Sequence, residues 1–229
     1  MSKPLIAVLL SGNGVYDGSE IHESVLTLLN IDKEGGEYQC IAPDMEQHHV
    51  VNHITGAEMA EQRNVLVEAA RIARGNIKNI KDVTANDFAA LAIPGGFGAA
   101  KNLTKWAFSG PEGDIHPEVK RLILEFVKAG KPITAFCMGP TVVAKALEGT
   151  EYHAELTVGT TEAKSPYDIA AVSAGMEKVG AVAKMVTVDE IAVDEKLNIV
   201  SAPCYMMEAS IYEINFGISK AIKQLMRML

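Results

Sequence analysis

Three short stretches hold the residues able to do chemistry. In KPITAFCMGPTVVAKAL, Lys131 to Leu147, a buried apolar run stops at Cys137 and a helical pattern begins at Pro140. A strand-to-helix turn crowds its own backbone, so a nucleophile at its apex needs small neighbours; the stretch Ala135-Phe136-Cys137-Met138-Gly139 meets that need much as a hydrolase elbow does. A helix N-terminus turns unpaired N–H groups and partial positive charge toward the sulfur, which predicts a lowered thiol pKa. Plain core filling is the alternative for such a cysteine. In AIPGGFGAAKNL, Ala92 to Leu103, a strand ends in two glycines. Amides near Gly95 and Gly96 could join that of Met138 in an oxyanion hole, or the glycines could form a tight turn without a ligand. In SGNGVYDGSEIHE, Ser11 to Glu23, the Gly12-Asn13-Gly14 opening tempts a dinucleotide reading, but Asp17 stands where the fingerprint needs glycine. What remains is Glu20 at a helix start, as a dipole-matched cap or as a proton carrier.

Other reactive side chains point to blander roles. His48, His49 and His53 in QHHVVNH have no carboxylate or cysteine at ligand spacing, so a polar loop or pocket wall is expected and no metal. His153 is the only histidine after Cys137 and reads as a surface residue. Cys204 follows Pro203 at another strand end without an elbow glycine and ranks second as a thiol, while Cys40 lies inside an apolar strand. Three cysteines cannot build a disulfide framework, which fits a reducing, cytoplasmic setting. Met206, Met207, Met226 and Met228 suit packing or a dimer contact.

The elements that must position these residues alternate. The chain has 229 residues, 48% of them hydrophobic, enough for one large α/β domain over residues 1–229. Its 21 basic and 29 acidic residues give −8, against a nucleic-acid partner. No apolar run reaches the ~18 residues of a membrane span. The N-terminal apolar run leads into SGNG without a cleavage site and reads as a first strand. Strands are predicted at 5–10, 38–42, 89–93, 133–136, 156–159 and 185–188, with a hairpin at 191–193 and 199–202. Helices are predicted at 21–29, capped by Asp17-Gly18-Ser19, and at 65–73, 117–128, 140–147, 169–179 and 211–225. This alternation implies a doubly wound, mostly parallel sheet with ligands beyond the C-terminal strand ends.

Taken in order, the three stretches resemble the ThiJ/PfpI superfamily, relatives of class I glutamine amidotransferases. PGGFGAAKNL and AFCMGPTVVAKAL match its glycine turn and nucleophile elbow, and Glu20 falls where that family places a glutamate touching the cysteine. Through QHHVVNHITG, RNVLVEAARIARG and APCYMMEASIYE the chain is similar to the ElbB-type branch, isoprenoid biosynthesis proteins with an amidotransferase-like domain. The resemblance implies a flavodoxin-like three-layer α/β/α sandwich, a homodimer and a weak cofactor-free glyoxalase activity. Met138 stands where PfpI-type proteases have histidine, and no His-x-Glu follows the last strand, so peptidase and glutaminase chemistry are not expected. The expected reaction is attack of Cys137 on a small 2-oxoaldehyde such as methylglyoxal or glyoxal. Glu20 carries the proton, with Glu23 a milder neighbour. The alternative is a redox-responsive or partner-binding protein whose Cys137 is oxidised rather than catalytic.

Overall fold

The computed structural model describes residues 3–229. Strand β1 (Leu5–Leu9) leads through a glycine-rich loop into helix α1 (Ile21–Lys33), followed by β2 (Glu37–Ala42), α2 (Val65–Ile72) and β3 (Ile77–Asn79). Next come β4 (Ala90–Ile93), a π-helical turn at Ala99–Leu103, the short α3 (Trp106–Ser109), α4 (Pro117–Lys128), β5 (Ile133–Phe136) and α5 (Gly139–Leu147). The chain closes with β6 (Glu155–Gly159), α6 (Ile169–Lys178), β7 (Val182–Met185), β8 (Ala192–Asp194), β9 (Ile199–Ala202) and α7 (Ile211–Arg227).

Seven strands form one sheet in the order β3-β2-β1-β4-β5-β9-β8, parallel except for the β8–β9 hairpin. Helices flank it in a flavodoxin-like three-layer arrangement, α1 packing with α7 and α4 with α5. β1, β4, β5 and β9 are almost wholly buried, which is why they read as continuous apolar runs rather than alternating ones. The C-terminal ends of β1, β4 and β5 lie side by side, so the three reactive stretches meet at one edge of the sheet.

Most predicted elements stand where expected, with three corrections. The strand expected at 185–188 lies at Val182–Met185, because the Val182 amide already pairs with the Ala154 carbonyl and Thr187 turns the chain through the Glu190 carboxylate. It pairs with β6 in a separate two-stranded parallel sheet. The N-cap of α1 is Glu20, not Asp17-Gly18-Ser19: its carboxylate accepts the Glu23 amide, while Asp17 accepts the Val51 amide and anchors the 44–64 loop.

Candidate active site

Cys137 sits one residue past β5 with φ +55°, in the left-handed region that side chains rarely occupy. Its amide donates to the Ala202 carbonyl at 3.1 Å, extending the β5–β9 ladder by one rung before α5 begins. The elbow predicted from the small neighbours is therefore present. At the end of β4, Gly95 lies directly beneath it. A Cβ on Gly95 would run into the Cβ of Cys137 and come within 2.8 Å of the Glu23 carboxylate and the Phe136 carbonyl. Gly96 has φ +97° and crosses the backbone of Gly18 and Glu20, which locks the start of α1 against the elbow.

This packing decides which glutamate meets the sulfur. Glu23 does, not Glu20. The Glu23 side chain is fully buried; its Oε2 accepts the Gly95 amide at 3.0 Å and its Oε1 the Tyr205 amide at 3.2 Å, and its carboxyl hydrogen-bonds Cys137. Burial, then the charge of neighbouring Glu20, pushes the Glu23 carboxyl up to about 8. Glu23 is thus an acid at neutral pH, able to donate to sulfur. Glu20 keeps its capping role and lines the cavity in front of the cysteine, with its carboxyl also raised by burial.

The expectation of a depressed thiol pKa needs the same revision. Burial pushes the Cys137 thiol well up, and a charged Glu23 pushes it further, against the pull of the Gly96 and Met138 amides. With Glu23 protonated the second cause vanishes, leaving burial against the two amides. The first proton the pair loses therefore comes from Glu23, whose carboxylate can then take the thiol proton as the sulfur attacks. Of the three predicted oxyanion donors, Gly96 and Met138 face the sulfur, but the Gly95 amide is committed to Glu23.

In front of the sulfur lies a cavity of about 230 Å³, bounded by Gly96, Phe97, Trp106, Met138, Tyr167 and Val172 among others. Phe97 and Tyr167 meet edge to face with centroids 5.9 Å apart, and the Tyr167 phenol is pushed up to about 12 by burial and then by the cysteine's charge. At the mouth, His22 Nδ1 and the Tyr205 hydroxyl lie 2.9 Å apart. None of Trp106, Tyr167, Tyr205 or His22 is marked by local sequence signals; distant elements bring them in.

The remaining candidates lie elsewhere. His153 is exposed and pairs with the Gly180 carbonyl. His53 stacks on Tyr16 and lies 3.8 Å from Asp17, while His48 and His49 pack on Phe108. Among the described residues no three histidine, cysteine or acidic side chains converge as metal ligands. Cys40 is core, its thiol pushed up to about 12 by burial, and Cys204 is buried behind the elbow.

A doubly wound sheet with a left-handed cysteine elbow, a glycine turn beneath it and a buried acid beside its sulfur fits the amidotransferase-like class of α/β proteins. No family model matches the chain. It is 40% identical over 227 residues to the human mitochondrial glutamine amidotransferase-like class 1 domain-containing protein 3, covering 97% of this chain and 82% of that one. A rat mitochondrial ES1 protein homolog is 39% identical over 227 residues, again covering 97% of this chain and 83% of its own. The crystal structure of an isoprenoid biosynthesis protein with amidotransferase-like domain from Ehrlichia chaffeensis superposes with a TM-score of 0.89 at 34% identity, covering 98% and 99% of the two chains. A Drosophila melanogaster DJ-1beta structure shares the fold alone, at 16% identity, a TM-score of 0.52 and coverage of 100% of this chain and 96% of that one. The chain belongs to the ES1-type, glutamine amidotransferase-like family. The mitochondrial names of its relatives overturn the cytoplasmic expectation. Unpaired cysteines report a reducing environment, not which compartment supplies it.

Proposed function

We propose that the protein is a cofactor-independent glyoxalase-type enzyme converting 2-oxoaldehydes to 2-hydroxy acids. The observation that carries this is the Cys137 sulfur, set beside the Gly96 and Met138 amides and the buried Glu23 carboxyl at the floor of a cavity. In the reactive form one proton is shared between Cys137 and Glu23. The sulfur attacks the aldehyde carbon; the new alkoxide is steadied by the Gly96 and Met138 amides and takes the Glu23 proton. The Glu23 carboxylate then removes the hydrogen from that carbon and gives it to the adjacent carbonyl oxygen, forming an enediol. It next takes the hydroxyl proton of the first carbon as its carbonyl forms and passes it to the adjacent carbon. The resulting 2-hydroxyacyl thioester is hydrolysed by water, which frees the acid and the thiol. Glu20 lines the cavity and caps α1, and the reaction needs no metal or organic cofactor.

The direct test is lactate formation from methylglyoxal by purified protein. Turnover that survives Cys137→Ser would sink the assignment. A second reading has its own support: a buried acid beside the sulfur would also hold an oxygen of oxidised cysteine, giving a redox-responsive protein. Peroxide oxidation of Cys137 in a protein without aldehyde turnover favours that reading.

The acting unit in this proposal is a homodimer. Ile21, Val25 and Leu29 form an exposed stripe on α1, beside the exposed Tyr212 and Phe216 of its packing partner α7. An apolar face of this kind suits a second copy of the chain.

A further inference from the structure

We infer that the natural substrate of this site carries an uncharged aryl or branched alkyl group beside its dicarbonyl, rather than the methyl group of methylglyoxal. The inference rests on the glyoxalase-type reading above and concerns which 2-oxoaldehyde the site takes.

The cavity is built for more than a small polar head. The reacting end is complete around Cys137, where Gly96, Met138 and Glu23 supply the polar contacts. The rest of the space extends away from the sulfur between Phe97, Trp106, Tyr167 and Val172. Trp106 is itself buried, braced by α6 at Gly175, whose Cβ would approach the indole within 2.9 Å. A methyl group would leave most of the 230 Å³ to water facing apolar walls, whereas a ring or branched chain removes both that water and its own apolar surface from solvent.

Charge narrows the class further. The ionisable side chains among the lining residues are Glu20, Cys137, Tyr167, Asp168 and Tyr205, with no lysine, arginine or histidine among them. A phosphate or carboxylate on the substrate tail would meet two acids and no cation, so an anionic tail is disfavoured. Neutral and apolar is what remains.

The test compares kcat/KM for phenylglyoxal and methylglyoxal, because their ratio in one enzyme and its change in a variant separate pocket effects from intrinsic aldehyde reactivity. Burial of the phenyl ring should favour phenylglyoxal by about 10- to 100-fold in the native protein. Val172→Phe, at a half-buried position on the cavity wall, should lower that ratio at least ~5-fold by filling the space, chiefly through KM for phenylglyoxal. Ala171→Phe, at an exposed position beside it, repeats the test should the first variant fail to fold. A native ratio at or below one, or a ratio that neither substitution moves, overturns the inference while leaving the glyoxalase reading intact. No turnover of either aldehyde overturns both. Trp106 is the only tryptophan, so its emission should also shift when mandelate, the expected product, enters the cavity, and not with lactate at the same concentration.

Discussion

Glu23→Gln offers the sharpest test of the site's electrostatics, because it removes one titration and one hydrogen-bond acceptor while keeping the shape. In the folded protein the carboxyl is raised from 4.5 to about 8, so folding favours its protonated form. That contribution is fully present below pH ~4.5 and is lost as pH rises toward ~8, at about 1.4 kcal/mol per pH unit. The whole gap amounts to about 5 kcal/mol of stability that native protein loses between acid and mildly alkaline solution. Glutamine does not titrate, but its amide nitrogen cannot accept, so either the Gly95 or the Tyr205 amide is left without a partner. That costs about 1–3 kcal/mol at every pH. The variant should therefore be less stable than native protein at pH 4.5, equal to it near pH ~6, and more stable at pH ~8. Urea unfolding of both proteins at pH 4.5, 6 and 8 reads the difference, since the other titrating groups are present in both and burial, the largest cause at Cys137, raises that thiol in either protein. A stability difference that stays constant from pH 4.5 to pH 8 would refute the raised carboxyl and the protonated Glu23 built on it.

Further outcomes follow from the same geometry. Glu23→Gln should lower aldehyde turnover by about 10²–10⁴-fold and Glu20→Gln by less than ~10-fold, since glutamine at 20 can still accept the Glu23 amide; the reverse order in steady-state assays would return the proton-transfer role to Glu20. Below pH ~8 native kcat/KM should rise with pH as the Cys137–Glu23 pair loses its first proton, and a flat profile from pH 6 to 8 would contradict that coupling. Limiting iodoacetamide should label Cys137 first, because it alone of the three thiols lines the cavity; mass-spectrometric mapping that finds Cys40 or Cys204 first would sink the elbow assignment. Light scattering should give about twice 24.6 kDa, and Val25→Glu in the α1 stripe should shift it toward the monomer.

What could be read ahead of the structure was local. β4, β5, α4 and the elbow were legible because each depends on neighbours within a few residues: apolar runs, Pro117 at a helix start, Gly130 at a helix end. β3 was not, since three residues with Lys78 exposed carry no apolar pattern. The choice between Glu20 and Glu23 was also beyond local reasoning. The two lie about one helical turn apart and so share nearly one face, and which of them reaches the sulfur depends on how Gly95 and Gly96 seat α1 against β4 and β5. The cavity was hidden for the same reason, its walls coming from the turn after β4, from α3 and from the start of α6.

Strain sharpens the meaning of the elbow only in company. Cys137 and Cys204 end neighbouring strands, and both hold left-handed backbones, at φ +55° and +49°. Each costs about 1–3 kcal/mol that a glycine would avoid. If strain alone marked a nucleophile, the two would be equal candidates. They differ in what surrounds the sulfur. The Cys204 thiol lies beside the Cys137 amide, is pushed well up by burial and then by the charge of Glu23, and does not line the cavity. Cys137 has the buried acid as a hydrogen-bond partner and open space in front. On the proposed reading, a left-handed cysteine becomes a nucleophile when an acid manages its proton and a substrate can reach it, and of these two cysteines Cys137 is the one with both the acid and the cavity.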